Sequence, residues 1–186
     1  MSNEVRKIKV LTILGTRPEV IKTAPVIKEL EKRKAVFSSS VILTGQHREM
    51  CQPYLRLFSI NPEADLSIME KYQGLNTIVI NVLKRLPELI GEISPDIVLV
   101  QGDTTTALCA ALAAFYRKIP VGHVEAGLRT WNMQAPWPEE ANRVIISRLA
   151  AIHFAPTELN RRNLVKEGVS PGSIHVTGNT VIDALM

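Results

Sequence analysis

The chain has 186 residues, of which 46% are hydrophobic and 22% are charged, and it carries a formal net charge of +4. This length can enclose the core of one sizeable domain, or of one domain and the beginning of another. The basic excess contains no run of lysine and arginine with interleaved aromatic residues, so it argues against nucleic-acid binding and suits an acidic metabolite such as a phosphate ester.

Short apolar strands alternate with helices along the chain. We predict strands, rich in β-branched residues, at 8–14, 39–43, 97–100, 121–124, 151–154 and 174–177. We predict helices between them, at 19–34, 46–58, 76–93, 104–117, 139–149 and 158–166. Residues 61–74 are polar, and we expect them to be irregular. This alternation predicts an α/β fold with a doubly wound parallel sheet.

The sequence predicts neither secretion nor a membrane span. Residues 1–7 are charged and lack the apolar region of a signal peptide. The richest apolar helix, at 107–116, is much shorter than the roughly 20 residues that a membrane-spanning helix needs. Cys51 and Cys109 lie far apart without metal-ligand spacing, so we expect two reduced and mostly buried thiols. The expected location is the cytoplasm.

Three acidic residues lie at the same edge of the predicted sheet. Asp103 follows the third strand, Glu125 ends the fourth, and Glu139 opens the next helix. Ligands of an open parallel sheet bind outside the carboxyl ends of its strands. Acids gathered there, with Arg129 and Arg143 close in sequence, predict proton-transfer chemistry on an anionic or sugar-like substrate.

Each acid also has a purely structural interpretation. Asp103 can cap a helix, Glu125 can pair with Arg129, and Glu139 lies in a first helical turn, where the macrodipole favours acids in any case. Burial without a partner would instead prepare Glu125 for acid–base work. Arg143, one turn beyond Glu139, could orient that carboxylate. In the same region His123 lies inside a strand, which favours a hydrogen-bonded core histidine over a ligand.

A possible anion site follows the first strand. The segment GTRPE (15–19) precedes a helix, and backbone amides at a helix N-terminus can bind an anion. It matches neither GxGxxG nor a P-loop, so it predicts neither NAD nor nucleotide triphosphate binding. Arg17 could contact a phosphate, with Lys22 near the opening of the same helix; alternatively, both are solvated surface charges. No group of histidine, cysteine and carboxylate residues has the spacing of a zinc site.

Six motifs occur in order: GTRPE (15–19), TGQHR (44–48), GDTTT (102–106), HVEAGLRT (123–130), PEEANR (138–143) and TGNT (177–180). With them the chain resembles the bacterial non-hydrolysing UDP-N-acetylglucosamine 2-epimerases along essentially its whole length. The resemblance covers that family's first half, its N-terminal Rossmann-like domain. Those enzymes join two such domains in the GT-B arrangement, with the active site in the cleft between them.

The resemblance implies that residues 1–177 form the first domain and that residues 178–186 begin the connection to a second one. The sequence also stops a few residues into a predicted helix, so we expect a fragment that is nearly inactive alone; the alternative is a short terminal helix. The family's second half supplies most uridine and diphosphate contacts and a catalytic histidine. His153 and His175 lie in strands and do not replace that histidine.

The resemblance implies interconversion of UDP-N-acetylglucosamine and UDP-N-acetylmannosamine, without a metal or redox cofactor. UDP is eliminated to give 2-acetamidoglucal and is then added back, with proton transfer at C2 on both faces. By motif match, Asp103, Glu125 and Glu139 are the acid–base and electrostatic groups. Arg17 and Lys22 match family positions near the substrate and the departing diphosphate, where cationic stabilisation of the leaving group is expected. Arg143 is a further candidate for substrate binding.

Some bacterial members of the family bind a second substrate molecule as an allosteric activator, through two glutamines. Gln46 matches one of them, but Glu49 stands where the other would be, which argues against allosteric activation here. We expect a homodimer. Two other functions remain open at this point. One is a hydrolysing epimerase that releases free N-acetylmannosamine, and the other is a non-catalytic module that binds nucleotide sugars.

Overall fold

The computed structural model describes residues 6–69 and 74–186. The described strands are β1 (Ile8–Leu14), β2 (Phe37–Leu43), β3 (Ala64–Asp65), β4 (Ile97–Gln101), β5 (Val121–Val124), β6 (Ile152–Ala155) and β7 (Ile174–Val176). The helices are α1 (Arg17–Lys32), α2 (Arg48–Leu57), α3 (Leu75–Ile93), α4 (Thr105–Tyr116), α5 (Glu139–Leu149), α6 (Glu158–Lys166) and α7 (Val181–Leu185), with a 3₁₀ turn at Pro171–Ser173. The predicted α/β fold is confirmed.

The sheet is parallel throughout and has the strand order β3-β2-β1-β4-β5-β6-β7. From β1 the chain winds outwards to β2 and β3. It then returns through α3 to the other side of β1 and continues from β4 to β7. The winding therefore reverses between β1 and β4, and a crevice for ligands opens outside the carboxyl ends of these two strands. This is the doubly wound, Rossmann-like topology that the sequence predicts.

Two hydrophobic layers cover the sheet. Leu11 and Ile13 of β1 belong to the core formed with α3 and α4, and Leu14 belongs to the core formed with α1 and α2. Successive side chains of a strand point to opposite faces, which explains this division. Small buried side chains let α4 lie close to the sheet; they include Ala107, Ala110, Ala111 and Ala114. The close packing fixes the start of α4, two residues after Asp103.

The predicted helices and strands are present, with ends that differ by at most two residues. The pattern misses β3, which lies in the segment 61–74 that we expect to be irregular. This strand has only two residues, and backbone pairing of Ile42 with Ala64 and of Leu43 with Asp65 creates it. A strand so short has no alternating pattern to detect. Residues 70–73 of that segment lie outside the described residues.

Both cysteines are as predicted, because Cys51 and Cys109 are free and buried. Burial raises the pKa of the Cys51 thiol to about 11 and that of the Cys109 thiol to about 12. Both are therefore protonated at neutral pH and chemically inert. In the part of the chain that the structure describes, no helix is both long and apolar enough to cross a membrane.

Candidate active site

Glu125 directly follows β5, and donors from three separate parts of the chain hold its carboxylate. Lys22 Nζ on α1 lies 2.7 Å from both carboxylate oxygens. Gln101 Nε2, at the end of β4, donates to Oε2, and Asn179 Nδ2 lies 3.4 Å from Oε1. The Glu125 backbone has a φ of 64°, a left-handed conformation that is uncommon outside glycine. All three neighbours donate, which suits a carboxylate that can only accept.

Two interpretations of Glu125 from the sequence are wrong. Its partner is not Arg129, which pairs instead with Glu167: Nε lies 2.7 Å from Oε1 and Nη2 lies 2.8 Å from Oε2. Glu125 is also not buried without a partner, because Lys22 binds it. Lys22 therefore belongs to the group of side chains around Glu125. Only 26% of its side chain is exposed, so its interpretation as a solvated surface charge is wrong as well.

Asp103 lies in the loop between β4 and α4, and α5 holds it at two points. Arg143 Nη2 lies 2.7 Å from Asp103 Oδ2, and Asn142 Nδ2 donates to the Asp103 carbonyl oxygen at 2.8 Å. Burial raises the pKa of Asp103; the charge of Arg143 opposes this rise, and the charge of Glu125 adds to it. Asp103 does not cap α4. Thr104 does, because its hydroxyl oxygen accepts a hydrogen bond from the Ala107 amide at 3.0 Å.

Glu139, the first residue of α5, is half-buried beside the same crevice, and its charge also raises the pKa of Asp103. Arg143 does not orient its carboxylate. The Arg143 Nε donates only to the Glu139 carbonyl oxygen, at 3.3 Å, while Nη1 lies 3.5 Å from Glu140. Within the described ranges, no hydrogen bond reaches the Glu139 carboxylate. The guanidinium therefore orients Asp103, and the Glu139 carboxylate is open to a ligand.

The predicted anion site at the start of α1 is occupied by the protein's own carboxylate. Glu19 is fully buried and accepts hydrogen bonds from the amides of Gly15 at 2.9 Å and Thr16 at 2.6 Å. The Thr104 hydroxyl donates to its other oxygen at 2.7 Å. Glu19 is the last residue of the GTRPE motif, and its sequence position alone predicts no function for it. These two backbone amides are therefore occupied and not free for a substrate phosphate, and the contact of Arg17 with a phosphate stays a prediction.

Arg17 and Gln46 flank the crevice on the β1 side. Arg17 is the exposed first residue of α1 and makes no ion pair with the described residues. Gln46 follows β2, and its side-chain oxygen accepts a hydrogen bond from the Thr106 hydroxyl at 2.8 Å. Thr106 in turn lies 3.0 Å from the Thr44 hydroxyl. Gln46 is therefore tied to the start of α4, and the expectation that it does not serve allosteric activation stays a prediction.

Glu140, a buried acid next to Glu139, fixes the loop that precedes α5. Glu140 is 1% exposed, and its Oε1 accepts hydrogen bonds from the amides of Thr130 and Trp131, both at 3.0 Å. The sequence does not single this residue out, because two acids at a helix start look alike. The structure separates them: Glu140 holds the loop, whereas Glu139 is close enough to Asp103 for its charge to raise the pKa of that acid.

His123 is a hydrogen-bonded core histidine, as predicted. It is fully buried on β5, and its Nε2 lies 2.7 Å from the Gly102 carbonyl oxygen. Burial lowers the pKa of His123 to about 3. His153 is its direct neighbour on β6, with Nε2 at 3.0 Å from the Ser147 carbonyl oxygen, and burial lowers its pKa too. Both imidazoles are neutral at physiological pH.

The three predicted acids therefore converge at one crevice, together with Lys22 and Arg143. Among residues 6–69 and 74–186, no three histidine, cysteine, aspartate or glutamate side chains are grouped so that they could hold a metal ion. The arrangement brings carboxyl groups and cations together in one crevice. Such a set of groups can serve acid–base chemistry on an anionic ligand.

Comparison with known families agrees with this geometry. The sequence model of the family described as UDP-N-acetylglucosamine 2-epimerase matches residues 28–186, most of the chain. The chain belongs to the UDP-N-acetylglucosamine 2-epimerase family.

Individual relatives are similar over nearly the whole chain. The UDP-N-acetylglucosamine 2-epimerase of Escherichia coli K12 is 55% identical over 179 residues, which are 96% of this chain and 47% of that protein. The crystal structure of the Neisseria meningitidis epimerase bound to UDP-GlcNAc superposes with a TM-score of 0.92 at 55% identity, covering 96% of this chain and 49% of that one. The crystal structure of the Methanocaldococcus jannaschii epimerase in complex with UDP-GlcNAc and UDP superposes with a TM-score of 0.89 at 39% identity. This match covers 95% of this chain and 48% of that one.

The chain spans about half the length of the relatives that it matches. Its fold is that of the N-terminal, Rossmann-like domain of GT-B epimerases, so the predicted fold class is confirmed. Three residues of the site were not predicted from the sequence to have a role. Glu19 has the weak signal of an acid in a strand–turn–helix motif. Gln101 is an amide that continues an apolar strand, and Asn179 lies in the TGNT motif.

Proposed function

We propose that this chain is part of an enzyme that interconverts UDP-N-acetylglucosamine and UDP-N-acetylmannosamine, and that it supplies the carboxylate side of the active site. The observation that carries the proposal is the convergence of Asp103, Glu125 and Glu139 with Lys22 and Arg143 at one crevice. Membership of the epimerase family and the likeness to a relative crystallised with UDP-GlcNAc support the same substrate.

The proposed reaction is an elimination followed by an addition. The C2–H bond and the C1–O bond to UDP break, and the C1–C2 double bond of 2-acetamidoglucal forms. UDP then adds back at C1 while C2 receives a proton on the opposite face. Because one face gives up a proton and the other gains one, the site needs at least two groups that exchange protons. Three carboxyl groups at one crevice meet this requirement.

Asp103 and Glu139 are our candidates for proton transfer. Burial raises the pKa of Asp103, and a carboxyl group whose pKa approaches the working pH exchanges protons more effectively. The Glu139 carboxylate has no hydrogen-bond donor within the described residues, so it can approach the ring. Glu125 is already surrounded by donors, which suits an electrostatic role. It would stabilise the positive charge that develops at C1 as UDP leaves.

Lys22 and Arg17 are proposed to bind the substrate phosphates, whereas Arg143 binds one of the acids. Lys22 lies on α1 beside Glu125, where its ammonium group can also reach a phosphate oxygen as the C1–O bond breaks. Arg17 is exposed at the start of the same helix and can contact the diphosphate. Arg143 is proposed to act on the substrate through Asp103, because its guanidinium is bound to that carboxylate.

The proposed enzyme is larger than this chain. Residues 1–177 form its first domain, residues 178–186 begin the connection, and a second domain closes the cleft and binds most of the uridine diphosphate. This proposal is supported by the half-length match to the relatives. We propose further that the full-length enzyme is a homodimer in the cytoplasm. Its product would serve the synthesis of cell-surface polysaccharides.

The test is product analysis in deuterium oxide with the full-length enzyme. UDP-N-acetylmannosamine carrying deuterium at C2 is the expected product. Release of free N-acetylmannosamine and UDP would identify the hydrolysing reaction instead. Residues 1–186 alone should form almost no epimer even at high protein concentration, and robust turnover by them would contradict the two-domain proposal. Binding of the substrate by the full-length protein without any turnover would identify a binding module.

A further inference from the structure

Gln101 ends a column of side chains that is otherwise apolar. Ile97, Leu99 and Gln101 lie on the same side of β4, because alternate residues of a strand share a face. Gln101 is only 3% exposed. A buried amide costs free energy unless it is hydrogen-bonded, so this position needs a specific partner. That partner is Glu125.

The contact between Gln101 and Glu125 has a defined direction. Gln101 Nε2 donates to Glu125 Oε2. A carboxylate only accepts hydrogen bonds, so the amide nitrogen and not the amide oxygen must face it. The donor is neutral and buried, and it comes from the neighbouring strand. It therefore fixes the orientation of the carboxylate without adding a charge to the crevice.

Gln101 gains importance if Lys22 serves the substrate as proposed. An ammonium group that binds the departing diphosphate would loosen its two 2.7 Å contacts with Glu125. Asn179 lies 3.4 Å from Oε1, so its hydrogen bond to Glu125 is long and weak. Of the donors that the structure describes around Glu125, Gln101 is then the close one that remains.

We propose that Gln101 is a positioning residue for Glu125, which holds that carboxylate in place while Lys22 stabilises the leaving group. The role in turnover rests on the proposed function, whereas the coupling between the two side chains does not. The alternative is that Gln101 only completes the end of β4. In that case its replacement would affect stability but not the chemical step.

The first test replaces Gln101 in the full-length enzyme by methionine, which has a similar length but no donor. We expect Gln101→Met to lower kcat about 10- to 100-fold, because a hydrogen bond to a charged group is lost, with KM changed less than about threefold. Gln52→Met is the matched control, since Gln52 is a half-buried glutamine on α2 with no contact to Glu125. It should leave kcat unchanged.

The second test is a double-mutant cycle with Glu125→Gln. If Gln101 acts through Glu125, Gln101→Met should lower the residual kcat of Glu125→Gln by less than about twofold. Independent effects that multiply, or an unchanged kcat of Gln101→Met, would overturn the proposal. If the wild-type enzyme converts no substrate, the proposed function fails. The same cycle in urea unfolding midpoints then decides the coupling: non-additive shifts support it, and additive shifts overturn it.

Discussion

Thr104 donates a hydrogen bond to Glu19 across the crevice between β1 and β4, with 2.7 Å between Oγ1 and Oε1. Glu19 also holds the amides of Gly15 and Thr16, so one buried carboxylate joins the loop that carries Arg17 to the loop that carries the catalytic candidate Asp103. Burial raises the pKa of Glu19, while its hydrogen bonds act against that rise. The geometry of both loops depends on this connection.

We predict that Glu19→Gln lowers both stability and kcat in the full-length enzyme. An amide cannot accept from the two backbone amides and from the Thr104 hydroxyl together, so one buried polar group loses its partner, at a cost of about 1–3 kcal/mol. Thr104→Val should lower kcat in a similar way. Thr157→Val is the control, because Thr157 caps α6 and lies outside the crevice. A Glu19→Gln enzyme with wild-type kcat would contradict this role.

We predict that Arg143→Met reduces kcat and moves the pH profile. Arg143 lowers the pKa of Asp103 against the effect of burial, so its removal raises this pKa further. The ionised form of Asp103 then appears only at higher pH, and the ascending limb of the kcat profile should shift upwards. Arg148→Met, an exposed arginine of the same helix, should leave the profile in place. A limb that stays or moves downwards would rule out Asp103 as the titrating group.

We predict that Asp103→Asn, Glu125→Gln and Glu139→Gln each lower the turnover number of the full-length enzyme by about a hundredfold or more. General acid–base groups such as Asp103 and Glu139 contribute factors of roughly 10²–10⁴, and an electrostatic group such as Glu125 contributes about 10²–10³. Glu158→Gln is the control, because its carboxylate is in an exposed ion pair on α6. Steady-state rates and substrate affinity should be measured separately. Unchanged turnover in all three variants would favour the non-catalytic binding module.

We predict that the buried histidines make the protein less stable in acid. The pKa of His123 is lowered from 6.5 to about 3 by burial, so the unfolded chain binds a proton that the folded protein excludes between these pH values. The stability that the neutral imidazole provides is complete above pH 6.5. It falls towards pH 3 by up to about 1.4 kcal/mol per pH unit. His153 acts in the same direction.

Glu19 and Asp103 act in the opposite direction, because their raised pKa favours the folded state as pH falls. A comparison of variants isolates the histidine. Urea unfolding between pH 7 and pH 4 should show a smaller acid-induced loss for His123→Gln than for the wild type. His175→Gln is the control, since His175 is exposed on β7. Equal losses in the wild type and in His123→Gln would show that His123 does not contribute.

The sequence predicts the location of the three acids because strand ends are local features. Asp103 and Glu125 follow apolar runs, and parallel strands bring their carboxyl ends to one edge. The partners of the acids depend on tertiary structure. Lys22 is 103 positions away from Glu125 in the chain, and no local pattern connects them. Arg129 is much closer in sequence, yet it binds Glu167, which follows the last residue of α6.

The sequence also does not show the roles of the residues that support the acids. Glu19 occupies the third position of a helix, where an acidic residue is common, and only its burial against Thr104 shows its role. Gln101 looks like the polar end of a strand. Glu140 and Glu139 are adjacent acids, and the direction of each side chain separates the loop anchor from the candidate catalytic group.

The three hydrogen-bond donors around Glu125 also constrain the order in which the protein can fold. Its donors come from α1, from β4 and from the segment before α7, so they meet only after β1, β4 and β5 are assembled and the last helix has docked. Competence to bind substrate should therefore be among the last properties to appear during refolding. During unfolding, the ability to bind substrate should be lost early, when α7 detaches and before the central strands separate.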